Sequence, residues 1–128
     1  MTTIDPSAAV ARAWQDLIDQ LEGNGPAVDR FATIWLELLP RRLTSCRRAL
    51  VRGDGDLART RLLSLHGSAV MLGLEDLAYS TARCRAALDA GDDGLESARV
   101  LAREVMIDAQ MAAALVSTAL AQCRWSKR

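Results

Sequence analysis

The sequence predicts an all-α protein, and three observations carry that prediction. Half of the 128 residues are hydrophobic, enough to fill one core without disulfides or metals. Ala, Leu and Arg abound while aromatics make up only 4% and β-branched residues are sparse, a composition that suits packed helices better than a sheet. Apolar residues recur at three- and four-residue intervals in five segments separated by glycine and aspartate turns. The expected architecture is one domain over residues 1–128: an antiparallel up-down four-helix bundle at about 26–122, with an additional N-terminal helix at about 6–22 covering one end.

The first helix starts at Asp5 and Pro6, an N-cap acceptor followed by a residue whose fixed φ suits the first turn. Val10, Trp14, Leu17 and Leu21 then repeat at helical spacing until Gly23 and Gly25 end the segment. The second helix begins near Pro26 and places Phe31, Trp35, Leu38, Cys46 and Leu50 on roughly one face, with Pro40 expected to kink it and Gly53 and Gly55 to stop it. The third runs from about Asp56 to Leu72 with Ala58, Leu62, Leu65, Ala69 and Leu72 as its core stripe. The fourth carries Leu74, Leu77, Thr81, Cys84 and Leu88. The fifth, started by Asp92 or Asp93, carries Ala98, Leu101, Val105, Ala109, Ala112, Val116 and Ala119. Turns this short make consecutive helices antiparallel.

Sixteen basic and sixteen acidic residues cancel, so no overall field draws the chain to nucleic acid or to an anionic membrane. Cys46, Cys84 and Cys123 are far apart, each falls in a helical apolar pattern, and no CxxC or nearby histidine offers metal spacing. They read as buried free thiols, with no metal and no cofactor. The N-terminus lacks a basic region followed by an apolar run, and no stretch is expected to reach the ~18 apolar residues of a membrane span. A cytoplasmic protein is expected. Arg41, Arg48 and Arg52 recur at seven and four residues on one helix face, which reads as a solvated surface. Glu75, Asp76 and Asp89 sit near helix ends as dipole or cap residues, and no carboxylate pair suggests an enzyme.

The third helix also has an apolar outer side. At 100° per residue Leu63, Gly67 and Met71 lie well away from the core stripe, and His66, the single histidine, falls between the two about 60° from Leu63. Either the first helix covers this strip, since Val10, Trp14 and Leu17 need somewhere to bury, or it is an exposed docking patch. Gly67 favours docking, because a mid-helix glycine costs ~1 kcal/mol against alanine and suits a close approach to the backbone.

The order Leu63, Ser64, Leu65, His66, Gly67, Ser68, Ala69, then Leu72 and Gly73, resembles the HxxKGS signature, with a small residue and LG after it, of histidine-containing phosphotransfer (HPt) domains of bacterial and eukaryotic phosphorelays. The likeness extends from about Phe31 to Leu115 and includes Phe31 and Pro40 in the second helix and the Gly53–Asp56 turn before the motif. It implies a four-helix bundle in two-component signal transduction. Leu63 stands where the family carries its phosphorylated histidine and His66 where it carries a lysine, so the resemblance implies a degenerate member with no catalytic nucleophile in place.

The preferred reading is a monomeric module that docks a response-regulator receiver domain, or its histidine kinase, through Leu63, His66, Gly67, Val70 and Met71, without phosphoryl transfer. Three alternatives stay open. His66 is a displaced phosphoacceptor, it is an ordinary boundary histidine bonded within the bundle, or the domain is a dimerisation or scaffold element whose strip pairs with a second copy.

Overall fold

The computed structural model describes residues 5–91 and 93–126, with side chains through 122. It contains five helices and, among the described residues, no strand: α1 (Pro6–Gln20), α2 (Gly25–Arg52), α3 (Gly55–Leu72), α4 (Glu75–Leu88) and α5 (Gly94–Ser126). α2 packs against α3 and α5, α4 packs against α3 and α5, and α1 rests on α2, α3 and α5.

Each boundary has a local cause. Asp5 caps α1 by accepting from the Ser7 amide at 3.0 Å, with Pro6 in the first turn as the sequence predicts. The helix ends at Gln20, a residue or two earlier than expected, because Glu22 and Gly23 both take positive φ. Asn24 and Asp54 cap α2 and α3 through their side chains. α2 and α3 end on left-handed glycines, Gly53 and Gly73, and the following amides of Asp54 and Leu74 return to the carbonyls of Ala49 and Ala69 at 2.9 and 2.8 Å. Arg99 of α5 adds two bonds to the last turn of α2, donating through Nε to Leu50 O at 2.9 Å and through Nη2 to Val51 O at 3.3 Å. The expected start of α4 at Leu74 moves to Glu75, with Leu74 as an N-cap that offers no side-chain acceptor. Of the two expected caps of α5, Asp92 lies outside the described residues, and Asp93 O accepts from the Ser97 amide at 3.0 Å.

Pro40 does not interrupt α2, which runs through it for 28 residues. The proline is exposed, and Thr44 Oγ1 donates to Pro40 O at 2.9 Å.

The core stripe of α3 is as predicted: Ala58, Leu62, Leu65, Ala69 and Leu72 are all 0% exposed. On α4, Leu77, Thr81 and Cys84 are buried and Leu88 half-buried; on α5, Ala98, Val105, Ala109, Ala112 and Val116 are buried, and Leu101 and Ala119 half-buried. α2 is rotated slightly from its predicted face. Trp35, Cys46 and Leu50 are buried as expected, but Phe31 and Leu38 are half-buried while Ala32 and Leu39 take the interior. On α1, Val10 and Trp14 are buried, Leu17 is half-buried, and Leu21, expected on the same stripe, is exposed because the helix has already ended.

α5 corrects the expectation that no segment matches a membrane span. Gly94–Gln122 contains an 18-residue window of mean hydropathy 1.3 and is long and apolar enough to cross a bilayer by length and composition. Here the helix packs against α2, α4 and α1.

The two faces of α3 predict opposite responses. Leu65→Asn should lower unfolding free energy by several kcal/mol, roughly 2–5, by opening a cavity and burying an amide without a partner. Leu63→Asn should change it by less than ~0.5 kcal/mol, because Leu63 is half exposed. Urea denaturation of the two variants measures the difference, and equal losses would contradict the placement of Leu63.

Candidate functional site

The predicted docking residues share one side of α3. Leu63, Val70 and Met71 are 50, 57 and 47% exposed, Gly67 is exposed and His66 half-buried. The proposal that α1 covers this strip is thereby overturned. α1 seats itself on the turn after α3 instead: a Cβ on Gly73 would lie 2.6 Å from Ala13 Cβ and 2.7 Å from Ala9 O, so only glycine admits the helix there. Of the five strip residues Val70 alone borders the shallow groove between α1, α3 and α4, together with Ala9, Arg12 and Ala13.

The setting of α3 is held from the opposite side. Trp35 Nε1 on α2 donates to Ser68 Oγ at 2.9 Å, in a buried bond. The Ser68 hydroxyl proton is directed to its own helix, with Leu65 O at 3.1 Å and Ser64 O at 3.2 Å, which leaves a lone pair for the indole. Ser68, read from the sequence only as a match to a motif, is thus a packing residue, and a serine within an apolar helix one turn from a core leucine is the signal that could have found it.

Gly67 is open. A Cβ built there meets nothing within 4 Å, so packing inside the chain does not require glycine. Its helix cost goes uncompensated by any intramolecular contact.

His66 is tied to α4. Its Nδ1 lies 2.9 Å from Ala78 O, and a carbonyl only accepts, so Nδ1 carries a proton and donates. Thr81 Oγ1 stands 3.5 Å from the same nitrogen while donating to Leu77 O at 2.8 Å or Ala78 O at 2.9 Å. In the neutral ring the lone pair is therefore on Nε2. That atom has no hydrogen-bond partner, and among the described residues the one buried side-chain nitrogen or oxygen without a partner is Trp14 Nε1, so His66 Nε2 reaches solvent. Part of the boundary-histidine reading is thus correct: one ring nitrogen is structural. The other is chemically free.

Elsewhere the predicted polar residues divide. Glu75 and Asp76 occupy the first turn of α4, where the helix dipole favours them. Asp89 sits at the opposite, C-terminal end, which disfavours a carboxylate, and is stabilised instead by Arg59 Nη2 at 2.7 Å, with Asp56 on the same guanidinium at 3.0 Å. Arg41, Arg48 and Arg52 are exposed as expected, but they also line one groove.

Cys46 and Cys84 are buried free thiols; Cys123 lies outside the residues whose side chains are described. Burial pushes the Cys46 thiol up to about 11. Burial and then the neighbouring Cys46 push Cys84 up to about 12, and its Sγ donates to Ala98 O at 3.3 Å. Neither is a nucleophile near neutral pH.

Two measurements test these placements. Gly67→Ala should raise stability by up to ~1 kcal/mol, since alanine gains helix propensity and its methyl enters open space. The thiols, whose folded values lie above their ordinary 9.0, contribute stability that is complete below about pH 9 and is lost as pH rises towards 11 and 12. Chemical denaturation at stepped alkaline pH should show that loss diminished in Cys84→Ala.

No family model matches this chain, and no curated protein or solved structure shows significant similarity to it.

Proposed function

We propose that the chain is an HPt-like docking module of a two-component phosphorelay, in which α2–α5 form an antiparallel four-helix bundle and the outer side of α3 binds a receiver domain or its kinase without phosphoryl transfer. The observation that carries this reading is the strip itself. Leu63, Val70 and Met71 hold apolar surface in solvent around a glycine that the fold does not need, on the helix that also bears the HPt-like signature. Uncovered apolar surface beside an approachable backbone suits a partner that comes close to α3. Leu63, at the position of the family's phosphoacceptor, has no nucleophilic atom. The module works as a cytoplasmic monomer that occupies, sequesters or scaffolds its partner, and it uses no cofactor.

A second reading has a specific observation in its favour. His66 Nε2 is unprotonated in the neutral ring, reaches solvent, and is oriented by the Nδ1 bond to Ala78 O, as a phosphoacceptor imidazole requires. Against transfer stands position. His66 is about 5 Å along the axis and about 60° around it from Leu63, so a donor docked for the family's site would not meet it in line.

One set of proteins separates the readings. Receiver domains encoded beside this chain should bind the native protein, and Gly67→Asp should weaken binding at least tenfold by blocking close approach and placing like charge near the receiver's acidic pocket. Unchanged affinity would move the docking site elsewhere. The native chain should take no label from a phosphorylated receiver, whereas Leu63→His with His66→Lys should gain an acid-labile one. Label on the native chain that disappears in His66→Ala would establish the second reading.

A further inference from the structure

The three arginines that the sequence marks as a solvated stripe converge on a groove of about 520 Å³ between α2 and the start of α3, on a different side of α3 from the apolar strip. At seven- and four-residue spacing Arg41, Arg48 and Arg52 lie within about 40° of one another on the helix wheel and extend over about 16 Å of its axis. Among the described residues none of the three forms an ion pair, in contrast to Arg59 and Arg83, which are both held by carboxylates. Asp54 is the single acidic residue of the groove, and its Oδ1 is engaged as the α3 cap, accepting from the Leu57 amide at 3.1 Å. Positive charge is therefore in excess there although the chain as a whole is neutral. Ser45, also in the lining, has a half-buried hydroxyl free to donate, and Pro40 and Leu57 supply apolar wall.

We infer that this groove binds a soluble small molecule carrying two or more phosphate groups. Guanidinium forks match phosphate oxygens bidentately; Arg48 and Arg52, one turn apart, can share one phosphate, and Arg41, about 10 Å further along the axis, is placed for another. The volume lies within the range of small-molecule sites, and the apolar wall can receive the uncharged part of a phosphate ester. Arg47, on the same helix but outside the groove lining, carries the same charge and marks what general attraction alone would do.

The test is calorimetric titration of the full chain with inorganic tripolyphosphate at low ionic strength, with inorganic phosphate as comparison. Tripolyphosphate should bind with Kd below ~1 mM and at least about tenfold more tightly than phosphate, and Arg48→Gln should weaken it about tenfold while Arg47→Gln changes it less than twofold. All positions are exposed, and circular dichroism confirms that the variants fold. No binding, or equal losses in Arg47→Gln and Arg48→Gln, overturns the site. Sedimentation with phosphatidylglycerol vesicles separates the two sources of such phosphates. Co-sedimentation that is lost in Arg48→Gln, together with no calorimetric binding of tripolyphosphate, would assign the groove to a lipid surface and overturn the soluble ligand.

Discussion

The rotational setting of α3 is the constraint on which the rest of the molecule depends. Five residues at 0% exposure turn one face inward, and the bond from Trp35 Nε1 to Ser68 Oγ locks that face against α2. An α-helix is rigid about its axis, so this choice leaves no freedom for the other side. With core residues centred on one direction, Leu63, Gly67 and Val70 must point the opposite way and His66 must fall at the flank, where α4 meets it. The exposed strip is the geometric remainder of a well-made core. Its apolar character is not such a remainder, because polar residues would serve the fold equally well there and burial drives none of these side chains.

The turns decide what covers α3 and what does not. Gly73 ends the helix in left-handed backbone and lets α1 approach within contact of its Cα, which places α1 over the C-terminal end of α3 and clear of Leu63 and Gly67. α1 also carries an unpartnered polar atom into the interior. Trp14 is 3% exposed, yet its indole N–H has no acceptor, an omission that costs about 1–3 kcal/mol and offsets much of what burying the ring contributes. Trp35, the other buried indole among the described residues, has its acceptor in Ser68 Oγ, so only one of the two rings is fixed by a hydrogen bond as well as by packing.

The core stripe of α3 was legible almost residue by residue, because Ala58, Leu62, Leu65, Ala69 and Leu72 keep one unbroken register at three and four and glycine turns bound it on both sides, although Leu63, Val70 and Met71 make its outer side apolar as well. α2 was less legible. Phe31 outweighs Ala32 in bulk, and hydrophobic periodicity favours the larger residue, but a long helix packed on α3, α5 and α1 buries a small alanine where backbones approach closely; Leu38 and Leu39 are equal in bulk, so periodicity had no means to choose between them. The apolar outer strip could be placed by periodicity, whereas its openness could not, since that depends on where α1 packs and hence on the contact at Gly73. The state of His66 was out of reach altogether: the tautomer follows from Ala78 O, twelve residues along the chain and on another helix. Asp89 failed for a similar reason, its stabilising Arg59 lying thirty residues earlier. Pairings across elements leave no periodic trace.

The same division bears on chemistry. His66 has one nitrogen committed to the fold and one presented to water, so the ring is fixed in orientation without being consumed by packing. Orientation of that kind is also what a contact residue needs. An imidazole held by Ala78 O offers Nε2 to a donor from a partner with little rotamer entropy left to lose. Gly67 adds room beside it, and Leu63, Val70 and Met71 add apolar area without a nucleophile at the central position. On the docking reading proposed above, a pre-set polar group inside an apolar border, supported on a helix whose rotation is locked from behind, suits recognition by a partner. Trp35 and Ser68 hold α3 from its buried side, so on that reading recognition and stability rest on different side chains, and each can change without dismantling the other.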